Sequence, residues 1–90
     1  MKTTSELLAE RGKTHGDFND HARATQKLKS VLSDELALRS ERGQLGLSPT
    51  QYESLEMILH KIGRIIAGDA DFQDHWDDIA GYAKIANVKA

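Results

Sequence analysis

The sequence predicts an all-α protein, a compact four-helix bundle that forms a single helical domain over residues 1–90. Three observations predict it. Apolar residues recur at the i, i+3, i+4 spacing of helices, caps and glycines mark helix ends, and no segment alternates with the period of a strand. Aromatic residues make up only 6% of the chain, so leucine, isoleucine and alanine must supply most of the packing.

The first predicted helix is short. Ser5 is a suitable N-cap for a helix over Glu6–Arg11, and Gly12 is expected to end it. The following residues, 12–17, combine glycines with polar side chains and predict a loop. Asp17 at the end of that loop is a good N-cap for the second helix.

The second, third and fourth helices are predicted from apolar periodicity. The second should run from Phe18 to about Arg42, with a possible break at Ser33-Asp34 and fraying or a loop over 39–47. Ser48-Pro49 predicts the start of the third helix, because serine caps and proline fits the first helical position. Apolar residues cover most of that helix, so it should be central, and Gly68 should end it. The fourth should run from about Phe72 or Asp74 to Asn87.

Composition excludes several classes of function. Twelve basic and fourteen acidic residues give a net charge of −2, which makes duplex nucleic acid an unlikely partner. No apolar run approaches the ~20 residues that span a bilayer, and the first residues do not resemble a signal peptide; we therefore expect a cytoplasmic protein without a membrane partner. The chain has no cysteine, so a metal would need oxygen or imidazole ligands.

Acidic residues near the end of the third helix and the start of the fourth are candidate metal ligands. Glu56 and His60 share a helix face, and Asp74 and Asp78 share another. Antiparallel packing would bring these ends together, and magnesium is usually held by one or two carboxylates, water and phosphate. The alternative is that the aspartates only favour a helix N-terminus through the macrodipole.

Basic residues in the same region are candidate phosphate ligands. Lys61 and Arg64 interrupt an apolar helix, where a charge must pair or reach solvent. They either bind phosphate or form an inter-helix salt bridge, with Asp78 as the natural partner. Lys13 lies in the glycine-containing segment before the second helix, which is either an anion site or a plain capped turn.

The aromatic rings, histidines and interior glycines have structural interpretations as well. Trp76 and Tyr82 are core or interface anchors, or rings that stack on a base. We expect His21 and His75 at the surface or at helix ends. Glycine inside a helix costs roughly 1 kcal/mol relative to alanine, so we expect close helix contacts at the two interior glycines, Gly63 and Gly81.

Three blocks, 11–17, 61–64 and 74–82, resemble in residues and order a family of small helical nucleotide-modification-associated proteins of phages and prophages. That family is similar to the MazG-like all-α nucleoside triphosphate pyrophosphatase superfamily. The resemblance implies a MazG-like bundle of phage nucleotide metabolism. In the wider superfamily, glutamate-rich helices bind magnesium, which holds a triphosphate for attack by water. This chain departs from that pattern, with Glu53 and Glu56 as one pair and Asp74 with Asp77 or Asp78 as shorter acids.

The leading hypothesis is a nucleotide-binding protein, as a homodimer or tetramer, that either only binds or also hydrolyses a (deoxy)nucleoside triphosphate with Mg²⁺. In this hypothesis His60 orients water, and the other roles are shared among three metal ligands and three phosphate ligands: Glu56, Asp74 and Asp78 for the metal, and Lys13, Lys61 and Arg64 for the phosphates. The alternative is a non-catalytic, phage-encoded effector that binds a host protein in the host cytoplasm, which an exposed apolar patch around Trp76 and Tyr82 would favour.

Overall fold

The computed structural model describes residues 1–87 and contains four α-helices: α1 (Thr4–His15), α2 (Phe18–Glu41), α3 (Pro49–Ala67) and α4 (Gln73–Ala86). Within these residues there is no strand. The prediction of an all-α four-helix bundle is therefore confirmed. The last three residues of the predicted 1–90 domain lie outside the described residues.

The first helix is longer than the sequence predicted. Thr3, rather than Ser5, is the N-cap, and its hydroxyl accepts a hydrogen bond from the backbone N–H of Glu6 at 3.1 Å. The helix continues through Gly12 and ends at Gly16, whose φ of 80° is a conformation that glycine adopts easily. The predicted loop over 12–17 is thus wrong and reduces to a two-residue turn, because the stop signal was Gly16.

The remaining helix starts follow local chemistry. Asp17 caps α2 by accepting hydrogen bonds from the N–H groups of Asn19 and Asp20, and α2 is not broken at 33–34. Ser48 caps α3 in a reciprocal pair with Gln51. α4 begins one residue after Phe72, whose side chain makes no capping bond.

Helix α3 is central, as predicted. α2 packs along one side and α4 along another, both antiparallel to α3, and α1 crosses near the C-terminal end of α3. Across residues 1–87, α2 and α4 do not approach each other. In the same part of the chain no hydrophobic side chain is fully buried, and no helix is long and apolar enough to cross a membrane.

Candidate functional site

Two inter-helix turns meet at the C-terminal end of α3 and define the position of the site. The backbone N–H of Asp69 donates to the carbonyl of Thr14 at 3.0 Å, joining the turn after α3 to the end of α1. A Cβ on Gly16 would collide with the carbonyl of Ala67, and one on Gly68 would collide with the backbone of Thr14 and His15. Glycine at both turns therefore lets two backbones touch.

His75 ties α4 to this junction and is 1% exposed. Its Nε2 lies 3.1 Å from the carbonyl oxygen of Thr14, the acceptor also used by Asp69. The ring packs edge-on against His15 at 4.8 Å between centroids and against Phe72 at 4.9 Å. Of the two expected positions for His75, a helix end is confirmed, since His75 is the third residue of α4, whereas a surface position is wrong, because its ring is buried between α4 and α1.

A second pair of histidines joins α2 to α3. His21 is 4% exposed, which also contradicts the expected surface position, and its ring meets His60 edge-on at 4.5 Å. Gly63 lets Thr25 and His21 approach the α3 backbone, so the close contact predicted there is confirmed. Gly81 has no neighbour within 4 Å among the described residues, so the same prediction for it is wrong.

Burial and nearby positive charge lower the pKa of His15, His21 and His60, which favours their neutral form near pH 7. Desolvation, followed by the positive charge of Arg64, lowers the pKa of His60 to about 4. The same two causes in the same order lower the pKa of His15 and of His21. Within residues 1–87, the Nδ1 atom of His21 and the hydroxyl of Thr25 are buried without a hydrogen-bond partner. The group is thus a neutral polar cluster beside a cation.

A cavity of about 480 Å³ opens beside this cluster, between α1, the start of α2 and the end of α3. Arg11 and Arg64 bring two guanidinium groups to its wall, and Phe18 brings an exposed aromatic ring. The remaining lining residues are small or neutral except for Asp17, which carries a carboxylate. They are Leu8, Gly12, His15, Gly16, Asp17 and His21.

The charges of the lining favour an anionic ligand. Desolvation, followed by the charge of Arg11, lowers the pKa of Arg64. Arg64 is half-buried and Arg11 is exposed, so the two cations meet at the mouth of the cavity. In residues 1–87 neither guanidinium has a carboxylate within 4.0 Å. The carboxylate of Asp17 is occupied by two backbone N–H groups of α2. The lining therefore carries two arginines against one internally bonded aspartate.

The structure brings only part of the predicted phosphate site together. Arg64 lines the cavity, whereas Lys13 is exposed on α1 and is not among the lining residues. Lys61 points to α4, where its Nζ lies 2.9 Å from Oδ2 of Asp78. The predicted alternative of an inter-helix salt bridge is thus confirmed for Lys61. Lys61 also lowers the pKa of Asp78, through its hydrogen bond first and its charge second.

The predicted metal ligands are not brought together. Asp78 is engaged by Lys61, Asp74 is exposed in the first turn of α4, and Glu56 is half-buried on α3. No three His, Cys, Asp or Glu side chains between residues 1 and 87 are grouped so that they could hold a metal ion. Within residues 1–87, Glu56, Asp74 and Asp78 therefore do not form a three-ligand metal site, and magnesium binding stays a prediction.

The predicted stacking rings lie away from the cavity. Trp76 donates its indole N–H to the carbonyl of Ala70 at 2.7 Å, and Tyr82 borders a second, open groove of about 370 Å³ with Pro49. The ring in the cavity is instead Phe18, which the sequence analysis placed only in an apolar stripe. His60 contacts His21 and is not part of the cavity lining.

Comparison with known proteins identifies the family. The chain belongs to the domain of unknown function DUF6378, whose family model matches residues 1–89. No curated protein and no solved structure matches the chain.

Proposed function

We propose that this member of the DUF6378 family binds a nucleotide, with its phosphates on Arg11 and Arg64 and its base against Phe18. The observation that carries the proposal is the meeting of two guanidinium groups without carboxylate partners at one cavity among residues 1–87. The forked guanidinium matches two phosphate oxygens, and desolvation strengthens such contacts.

The dimensions and walls of the cavity support a ligand of this size. About 480 Å³ lies within the range of small-molecule sites, roughly 300 to 1,000 Å³. Phe18 offers a flat apolar surface on which a base can stack, and Leu8 extends it. A net charge of −2 favours a small phosphorylated molecule over a nucleic-acid backbone.

The proposal covers binding of the nucleotide and does not include its hydrolysis. Hydrolysis of a triphosphate would need carboxylates beside the phosphates, and Glu56, Asp74 and Asp78 are not grouped in one chain. A role in phage nucleotide metabolism and a cytoplasmic location belong to the proposal and rest on the resemblance of the three sequence blocks. Self-association to a homodimer or tetramer is likewise proposed.

Calorimetric titration tests the proposal with three probes: a deoxynucleoside triphosphate, the matching deoxynucleoside and inorganic triphosphate. We expect the nucleotide to bind and Arg64→Gln to weaken binding by about 10- to 100-fold, the effect of losing a charge-assisted hydrogen bond. Phe18→Leu should weaken nucleotide binding and leave inorganic triphosphate unaffected.

Two variants are matched controls. Lys61→Gln removes one positive charge from the same helix but outside the cavity, and Arg23→Gln removes an arginine that is paired with Asp20 at the surface. Both should bind the nucleotide as the parent does. Equal loss of affinity in Lys61→Gln and Arg64→Gln would show that only net charge matters and would refute the site.

A second candidate function is that of a non-catalytic effector that binds a host protein. It is favoured by Trp76, whose side chain is 49% exposed, and by the pairing of Lys61 with Asp78 rather than with a ligand. Trp76→Ala should abolish such binding and leave nucleotide affinity unchanged, whereas Arg64→Gln should do the opposite. Co-purification from host cells, compared between these two variants, separates the candidates.

A further inference from the structure

Helix α3 has an apolar stripe that faces neither of its neighbours. One side of the helix meets α2 through His60 and Gly63, and another meets α4 through Lys61. A third side of α3 lies between these two sides, roughly 100° around the helix from each of them. It carries only leucine and isoleucine, at i, i+4, i+7 and i+11: Leu55, Leu59, Ile62 and Ile66. Ile66 is 62% exposed and Leu55 37%.

The flanking helices extend this stripe. Because α2 and α4 both run antiparallel to α3, helical rotation places Val31 and Leu38 of α2 and Trp76 of α4 on the same side of the three-helix layer. All three are exposed hydrophobic residues. Phe18 and the cavity lie on the opposite side, with α1. We call the stripe together with Val31, Leu38 and Trp76 the apolar face; the exposed carboxylate of Glu35, which lies between Val31 and Leu38 on the same side of α2, borders it.

The exposed area of the chain is larger than that of a typical folded monomer of its mass, which leaves room for a partner surface. A folded monomer of 10.0 kDa should expose about 5,200 Å², whereas this chain exposes 6620 Å². The excess of about 1,400 Å² per chain corresponds to about 2,800 Å² for a pair, within the range of permanent homodimers and above that of transient complexes.

We propose that a second copy of this chain covers the apolar face, with the two α3 stripes packed against each other across a two-fold axis. Helix α1 covers only one side of the layer formed by α2, α3 and α4, and domains are built from packed layers that bury both sides of their apolar elements. No hydrophobic side chain among residues 1–87 is more than about nine-tenths buried in the isolated chain, so a lasting cover would complete a core that one chain buries only in part. A two-fold axis needs only one self-complementary surface.

Sedimentation equilibrium of the full chain from about 1 to about 100 µM tests the interface, since assembly depends on concentration. We expect twice the 10.0 kDa mass of the chain. Ile66→Glu should raise the dimer dissociation constant at least about 100-fold, because it buries a carboxylate among apolar groups. Ile85→Glu is the matched control: Ile85 is 54% exposed but lies on the other side of the layer, so the dimer should persist.

A cross-link keeps the proposal testable if Ile66→Glu does not fold. The chain has no cysteine, so Ile62→Cys introduces a single thiol near the proposed axis, and Leu8→Cys introduces one on α1. Mild oxidation should give a covalent dimer of the first variant and leave the second largely monomeric. A monomer at every concentration, or a dimer that Ile66→Glu leaves intact while Ile85→Glu disrupts it, would overturn the proposal. So would preferential cross-linking of Leu8→Cys. Nucleotide binding is measured separately and does not affect these outcomes.

Discussion

Replacing Gly63 by alanine should destabilise the protein, although glycine inside a helix is normally unfavourable. Alanine is better than glycine at an interior helical position by roughly 1 kcal/mol. At Gly63, however, the added Cβ would overlap the hydroxyl of Thr25 and lie 3.1 Å from Nδ1 of His21. Thr25 is only 3% exposed and is branched at Cβ, which restricts the rotamers by which its hydroxyl could move away.

The size of the effect follows from these two opposing contributions. Overpacking a filled site costs about 1 to 3 kcal/mol, and the helical gain offsets roughly 1 kcal/mol of it. We therefore expect Gly63→Ala to lower the free energy of unfolding by about 1 to 2 kcal/mol. For a domain of this size that is a fall in Tm of about 5 to 15 °C, which circular dichroism at 222 nm during heating would measure.

Gly81→Ala provides the matched control. Gly81 lies inside α4, and no atom of the described residues lies within 4 Å of an added Cβ, so only the helical gain remains and stability should rise by roughly 0.5 to 1 kcal/mol. Adding Thr25→Ala to Gly63→Ala should recover part of the loss by making room. If Gly63→Ala is as stable as the parent or more stable, the close packing of α2 on α3 is wrong.

Two further predictions concern the turns and the histidines. Gly16→Ala should cost more stability than Gly43→Ala, by at least about 1 kcal/mol, because both glycines have positive φ but only Gly16 touches another backbone; urea unfolding measures the difference, and equal losses would refute the contact. The lowered pKa of His60, about 4, means that the unfolded chain binds more protons between about pH 4 and 6.5. Stability should therefore be complete above pH 6.5 and fall by about 2 kcal/mol as the pH drops to 4, and a His60→Gln variant that keeps the full pH dependence would contradict this origin.

Local signals predicted the helix ends where a single residue type decides the geometry. Asp17 and Ser48 have side chains that accept the first N–H groups of a helix, so the starts of α2 and α3 were correct. Gly12 misled the prediction of α1 because a glycine is tolerated inside a helix when packing and a later stop hold the segment. The two glycines differ in their contacts: the turn after α3 touches Gly16 and does not touch Gly12. This difference cannot be read from the sequence.

The candidate site was predicted less completely, since it depends on contacts between distant segments. Arg64 was identified because a cation in an apolar helix demands a partner, and Lys61 found its partner in Asp78. Arg11 and Phe18, which line the cavity, were not predicted as site residues, although Arg11 begins one of the three resemblance blocks. They meet only because α1 folds back across α2 and α3, which helical periodicity does not encode.

The distribution of burial links the stability of the cavity to the covering of the apolar face. Among residues 1–87, the side chains that are buried in the single chain are polar: His21, Thr25, Ser54 and His75. They lie where helices meet and fix the angles at which α1, α2 and α4 join α3, whereas the leucines and isoleucines of α3 remain partly exposed. A domain normally shows the reverse arrangement. The polar contacts therefore determine the geometry of the cavity within one chain. In the proposed dimer, the second copy on the apolar face would supply further hydrophobic free energy that stabilises this geometry. It follows that dilution below the dimer dissociation constant should reduce helicity and nucleotide affinity together, while Arg64→Gln should reduce affinity alone.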